Sequence, residues 1–282
     1  MTNILIAQGA RADAAQIAQL TAELGASAEH RGLCHRFVLQ QRPDTALLQQ
    51  LRARYPFDIN LLPAGLDPAQ IRLLVTDMDS TLINIECIDE IADFLNLKPR
   101  IAEITELAMR GEIDFETSLR RRVGLLVGLS DSALHHVYHE RLQLNPGAEQ
   151  LLAGLKARRI RSALVSGGFS YFTERLKQRL GLDFTLANTL AFDDHGKLTG
   201  LGDQHIVGAE RKAQFLLELC QRLGILPHQT IAMGDGANDL RMMAVAGLSI
   251  AYHAKPAVQQ QADCVLNHCG LEGVLGLLDI AA

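Results

Sequence analysis

Two aspartates one residue apart, Asp77 and Asp79 in Asp77-Met78-Asp79-Ser80-Thr81, form the stretch of this sequence best suited to chemistry. They follow the apolar run Ile71-Arg72-Leu73-Leu74-Val75-Thr76, which reads as a short buried strand. In an open α/β sheet, ligands bind at the carboxyl ends of strands. Paired carboxylates there can supply a nucleophile, a metal ligand and a proton shuttle. A local turn also accounts for Asp-x-Asp, because aspartate side chains bond their own backbone. Three further clusters bear on the choice. Ser166-Gly167-Gly168 follows Ser162-Ala163-Leu164-Val165, which would bare backbone N–H groups at a helix start, a favourable anion site. Lys212 stands near the start of a helix expected from Glu210 and could neutralise phosphate. Gly234-Asp235-Gly236-Ala237-Asn238-Asp239 follows the strand-like Thr230-Ile231-Ala232-Met233, and its carboxylates and amide suit a hard cation such as Mg²⁺. Taken singly, each cluster has an ordinary turn or surface reading.

The elements that must position these groups follow from periodicity. Strands are expected at Asn3–Ala7 and Arg36–Leu39, and helices at Ala14–Leu24 and Asp44–Tyr55, before Pro56, Pro63, Gly65 and Pro68 punctuate the chain. This is a small α+β module over residues 1–68 with no catalytic cluster of its own. Residues 82–145 carry helical patterns at Glu86–Leu95, Arg100–Arg110, Asp114–Val127 and Ser130–Leu142, with Asp114 and Ser130 as caps. They read as a helical insertion placed like a lid. Strand–helix alternation resumes from Glu149, with strands at Ile160–Val165, Thr230–Met233, Leu248–Ala251 and Cys264–Leu266. Leu186–Phe192 and the residues after it read as a hairpin turning at Asp194-His195-Gly196. Alternation of this kind implies a doubly wound, mostly parallel sheet over residues 69–81 and 146–282.

Composition narrows the function classes. The 282 residues include 48% hydrophobic ones but no tryptophan, so a core must be mainly aliphatic, as parallel sheets require. The net charge of −5, with no long basic block, argues against nucleic acid as the main partner. Cys34, Cys87, Cys220, Cys264 and Cys269 form no Cys-x-x-Cys pair, which suits a reduced, cytoplasmic protein. No signal peptide and no apolar run of membrane-spanning length is expected. The ten histidines fall in no motif and receive no role.

The four clusters, in this order, resemble the signatures of the haloacid dehalogenase superfamily over residues 71 to about 270. The stretch Asp77 to Ala92 is similar to the first motif of the phosphoserine phosphatase family, and Phe115 to Val123 to its cap. The resemblance implies a Rossmann-like sheet and an Mg²⁺-dependent hydrolase that releases L-serine from O-phospho-L-serine, the last step of serine biosynthesis. It also implies roles. Asp77 would be the nucleophile that becomes an aspartyl-phosphate, and Asp79 the acid and base. Asp77, Asp235 and the backbone carbonyl of Asp79 would hold Mg²⁺. Ser166, Gly167, Lys212 and Asn238 would hold phosphate, with Asp239 in support. Glu86 and Arg122 would read the substrate's ammonium and carboxylate, against Met109 and Phe115. Without the resemblance, Glu86 reads as a helix-start charge and Arg122 as part of a solvated arginine run. A related phosphotransferase would share Asp77 and Asp79. A signalling receiver would need neither Asp79 nor the cap. The first 70 residues vaguely resemble the small amino-acid-sensing module of the ACT kind, which leaves room for an effector there and for a homodimer.

Overall fold

The computed structural model describes residues 3–202 and 205–280, apart from the side chain of Met109. Residues 3–61 contain β1 (Asn3–Gln8), α1 (Ala14–Leu24), β2 (Ala28–Arg31), β3 (Cys34–Leu39), α2 (Thr45–Arg54) and β4 (Asp58–Leu61). Their strands make one antiparallel sheet in the order β2-β3-β1-β4, a ferredoxin-like βαββαβ unit. Asp13 and Asp44 start the two helices by accepting from the N–H groups of Gln16 and Leu47. The sequence reading missed β2 and β4. β2 is Ala-Glu-His-Arg and mostly exposed, while β4 is Asp-Ile-Asn-Leu and wholly buried, so neither shows apolar alternation.

β4 is buried because the second sheet satisfies its polar side chains. The Asn60 amide donates to the Val265 carbonyl at 2.9 Å and accepts from the Val265 N–H at 2.7 Å. The Asp58 carboxylate accepts from the N–H groups of Asn267, His268 and Cys269.

The second sheet starts at β5 (Leu73–Thr76). The helices α3 (Cys87–Asp93), α4 (Lys98–Met109), α5 (Phe115–Leu125) and α6 (Ser132–His136) intervene before α7 (Ala148–Ala157), β6 (Arg161–Phe169), α8 (Ser170–Leu180) and β7 (Phe184–Asn188). A side hairpin, β8 (Leu190–Phe192) and β9 (Leu198–Leu201), leads to α9 (Ala209–Leu223), β10 (Thr230–Gly234), α10 (Leu240–Val245), β11 (Leu248–Tyr252), α11 (Pro256–Gln259), β12 (Cys264–Leu266) and α12 (Gly273–Leu277). The sheet order is β12-β11-β10-β5-β6-β7, with every pairing parallel. Strands therefore run outward from β5 in both directions, and the order reverses between β5 and β10. A crevice opens at such a point. Alternate residues serve opposite faces: Leu74, Ile231 and Ile250 enter one core, and Leu73, Val75, Ala163 and Ala232 the other.

Three expectations change in detail. Leu186–Phe192 is not one strand, because β7 ends in the main sheet at Asn188 and the hairpin begins at Leu190. β6 continues through Ser166-Gly167-Gly168 instead of stopping at Val165. Asp131, not Ser130, occupies the residue before α6, and the one backbone bond the Ser130 hydroxyl accepts among the described residues is a long one of 3.4 Å from the Ser132 N–H. Asp114 does cap α5, accepting from the Thr117 N–H at 2.6 Å. Among the described residues, no helix is long and apolar enough to cross a membrane.

Candidate active site

Asp77 is the residue that leaves β5 at the switch point, and its N–H donates to the Met233 carbonyl of β10 at 2.9 Å. That bond aligns the two strand ends which carry Asp77 and Asp235. Lys212 reaches them from the first turn of α9, whose Ala213, Phe215, Leu216 and Leu219 are buried against the sheet. Its ammonium is fully buried and donates to Asp77 at 2.7 Å and to Asp239 at 2.8 Å. The other Asp239 oxygen accepts from the Gly236 N–H at 3.1 Å. A Cβ at Gly234 would collide with that carboxylate, so the loop needs glycine there. Burial raises the Asp77 pKa, and the charge of Asp239 adds to the effect against the pull of Lys212. Burial opposes the charge on Lys212, but Asp239 and Asp77 outweigh it and raise its pKa.

The chain after Asp77 turns sharply, with Ser80 at a φ of 54°. This aims Asp79 back at the crevice. One Asp79 oxygen accepts from the Cys87 N–H at the start of α3 at 2.9 Å, the other from the Ser166 hydroxyl at 3.0 Å. Ser166 in turn accepts from the Gly168 N–H at 2.8 Å. A Cβ at Gly168 would lie 2.8 Å from the Asp79 carboxylate, so this second glycine allows a close approach. Burial raises the Asp79 pKa although these hydrogen bonds pull it down.

Asp77 and Asp79 open into a cavity of about 270 Å³ between the sheet and the helices α3–α5. Gly167, Asp235 and Asn238 line it near Asp77, and Glu86, Phe115 and Arg122 line the side formed by the helices. Phe115 closes onto the loop, since a Cβ at Gly167 would sit 3.0 Å from its ring. Glu86 accepts from the Ser80 hydroxyl at 2.8 Å. It is open to the cleft yet walled by protein, and that burial, with the Asp79 charge, pushes its pKa up to about 7. Burial lowers the Arg122 pKa, and the charges of Asp89, Glu86 and Asp79 act against it.

The structure thus brings Asp77, Asp79, Glu86, Phe115, Arg122, Gly167, Asp235 and Asn238 to one cavity. Ser166, Lys212 and Asp239 stand behind its wall, bonded into the same network. The Met109 side chain lies outside the described residues. The sequence reading missed Asp89 and Lys255, which also line the cavity. Asp89 stands three residues after Glu86, so helical spacing alone places it on the same face. Lys255 follows the end of β11, where the logic that found Asp77 applies again. Carboxylate oxygens of Asp77, Asp235 and Asp239 lie within 4.8 Å of one another, an all-oxygen set that fits a hard divalent cation. Asp239 is already engaged by Lys212 and Gly236, which leaves Asp77 and Asp235 the freer ligands.

Comparison with known proteins agrees with this geometry. Residues 71–247 match the family model of haloacid dehalogenase-like hydrolases. A phosphoserine phosphatase of Polaromonas sp. is 51% identical over 225 residues, covering 78% of this chain and 95% of that protein. A haloacid dehalogenase family hydrolase of Salmonella enterica serovar Typhi superposes with a TM-score of 0.88 at 33% identity, covering 98% of both chains. The unliganded structure of a probable phosphoserine phosphatase from Vibrio cholerae gives 0.84 at 38% identity, covering 99% of this chain and 87% of that one. Identity of this extent over most of the chain makes the relationship one of descent: the chain belongs to the haloacid dehalogenase-like hydrolase family, among its phosphoserine phosphatases.

Proposed function

We propose that this enzyme hydrolyses O-phospho-L-serine to L-serine and phosphate through an aspartyl-phosphate on Asp77. The observation that carries the reading is a single cavity with two chemically distinct ends. One end holds a carboxylate fixed by a buried lysine, beside a second carboxylate whose pKa burial raises. The other offers Glu86 for an ammonium and Arg122 for a carboxylate. The names of the relatives described above support the same substrate.

An oxygen of Asp77 attacks phosphorus as the bond to the serine oxygen breaks. Asp79 gives its proton to that leaving oxygen, and burial favours the protonated form it needs. In the second step Asp79 takes a proton from water, whose oxygen attacks phosphorus and frees Asp77 and inorganic phosphate. Lys212 uses two donors on Asp77 and Asp239, so its third remains for a phosphoryl oxygen. Ser166 turns from Asp79 to the phosphoryl group, joined by the Gly167 N–H and Asn238. Asp77, Asp235 and the Asp79 carbonyl would hold Mg²⁺, which would offset the repulsion between carboxylate and phosphate. Phe115 and Met109 close the apolar side of the pocket. Positioning and electrostatics of this kind are what phosphoryl transfer requires.

Five unpaired, buried cysteines suit a reduced, cytoplasmic setting, and release of L-serine would place the enzyme at the last step of serine biosynthesis. The ferredoxin-like module is the place for an amino-acid effector, and its open β2 edge a place for pairing with a second copy. The test is a panel of phosphorylated metabolites compared by kcat/KM with Mg²⁺ and with excess chelator. Phosphoserine should lead the panel by at least tenfold and lose its turnover on chelation. A flat panel would refute the substrate, and full turnover in chelator the metal.

A further inference from the structure

One cation of the cavity is left over by this chemistry. Lys255 lines the cavity beside Asp235, Gly236 and Asn238, and it is exposed. Among the described residues its ammonium makes no hydrogen bond or ion pair. Its backbone is tied down: the Lys255 N–H donates to the Asp235 carbonyl at 3.1 Å, and Pro256 begins α11 directly after it. To get there, the chain leaving β11 places His253 at a φ of 43°, a left-handed conformation uncommon outside glycine. β11 is the parallel neighbour of β10, so Lys255 and Asp235 occupy adjacent strand ends.

The charge pattern gives this placement a meaning. Asp77, Asp79, Glu86, Asp89 and Asp235 line the cavity, while Arg122 and Lys255 are its lining cations. Arg122 faces Glu86 and Asp89 at the helical end. Burial and Asp239 raise the Asp235 pKa, and Lys255 pulls it back down. We propose that Lys255 is a positioning residue for the phosphoryl end of the substrate, a free cation that draws the phosphate dianion to the Asp235 side of the cleft while holding down its affinity for divalent cations. The inference rests on the phosphatase reading above. A cation in this position attracts phosphate and repels a divalent metal, so its removal must shift the two affinities in opposite directions. A packing defect has no reason to do so.

The test uses the full chain with Lys255→Met and Lys255→Arg. Calorimetry measures Mg²⁺ binding to metal-free protein, then inorganic phosphate binding at saturating Mg²⁺. Lys255→Met should bind Mg²⁺ about fivefold more tightly and phosphate about fivefold more weakly, the factor for a single charge acting on a doubly charged ion across about 8–9 Å of water. Its KM should rise with kcat retained and with a shallower salt dependence. Lys255→Arg should restore both affinities to within twofold. Unchanged affinities, or both weakening together, would overturn the proposal. Neither titration involves phosphoserine. Opposite shifts in a protein that leaves phosphoserine intact would therefore uphold the role of Lys255 and sink only the substrate assignment.

Discussion

Replacing Lys212 by Met, which fills similar space without charge, tests the central electrostatic claim. The ammonium holds Asp77 at 2.7 Å and Asp239 at 2.8 Å, and it is wholly buried with them. Without it, two carboxylates with oxygens within 4.8 Å of each other face one another unscreened. At an effective dielectric of about 20 they repel by roughly 3.5 kcal/mol, which equals about 2.5 pH units in one carboxyl pKa. Removing one partner of a buried ion pair costs about 3–5 kcal/mol, the same range. The pH sign follows from linkage. A carboxyl whose folded pKa is raised contributes stability below its unfolded value near ~4, and that contribution is lost as pH rises through the folded pKa. Lys212 itself, with its pKa raised, stays charged throughout. Urea unfolding of metal-free protein should therefore show the variant about 3–5 kcal/mol less stable at pH 8, with the deficit shrinking to about 1 kcal/mol by pH 4.5. Millimolar Mg²⁺ should rescue the variant more than the wild type. A deficit below about 1 kcal/mol at pH 8, or one that ignores pH, would refute the reasoning.

The remaining predictions address the cavity. Asp77→Asn should abolish hydrolysis while circular dichroism shows the fold intact; turnover near wild type would remove the covalent route. Arg122→Ala should lower kcat/KM for phosphoserine by about 100-fold, in line with the loss of a charge-assisted bidentate contact, and that for a generic aryl phosphate by less than threefold; equal losses would deny it the carboxylate. Glu86, with a pKa pushed up to about 7, carries its charge above that pH. KM for phosphoserine should fall as pH rises through about 7, and Glu86→Gln should flatten that limb; an unchanged profile in the variant would assign the titration elsewhere.

The parallel sheet was legible because its strands are buried on both faces and read as apolar runs, as Leu73-Leu74-Val75 shows. Asp77 and Asp235 were legible because they follow such runs directly. β2 and β4 were not, since pairing with β3 and β1, and for β4 the side-chain bonds to β12, override their weak patterns. The break between β7 and β8 escaped notice because Thr189 interrupts the run with neither proline nor glycine. Lys212 looked like any helix lysine, and only the folded chain shows two carboxylates closing on it from 135 and 27 residues away. Lys255 escaped because a single lysine between Ala254 and Pro256 carries no pattern until β11 is set beside β10.

The Asn60 side chain has a mechanical consequence. Its amide completes the hydrogen bonding of Val265 as a neighbouring strand's backbone would, and Asp58 does the same for the amides that follow β12. Two sheets of different handiwork are spliced there by two side chains. Clipping off the first 68 residues should therefore destabilise the catalytic part that remains. It would take the side-chain partners from the outer edge of β12, whose other edge stays paired with β11, and leave a raw edge, the kind of surface on which chains stack. The small module thus acts as an end-plate for the larger one, and the two should melt in a single transition.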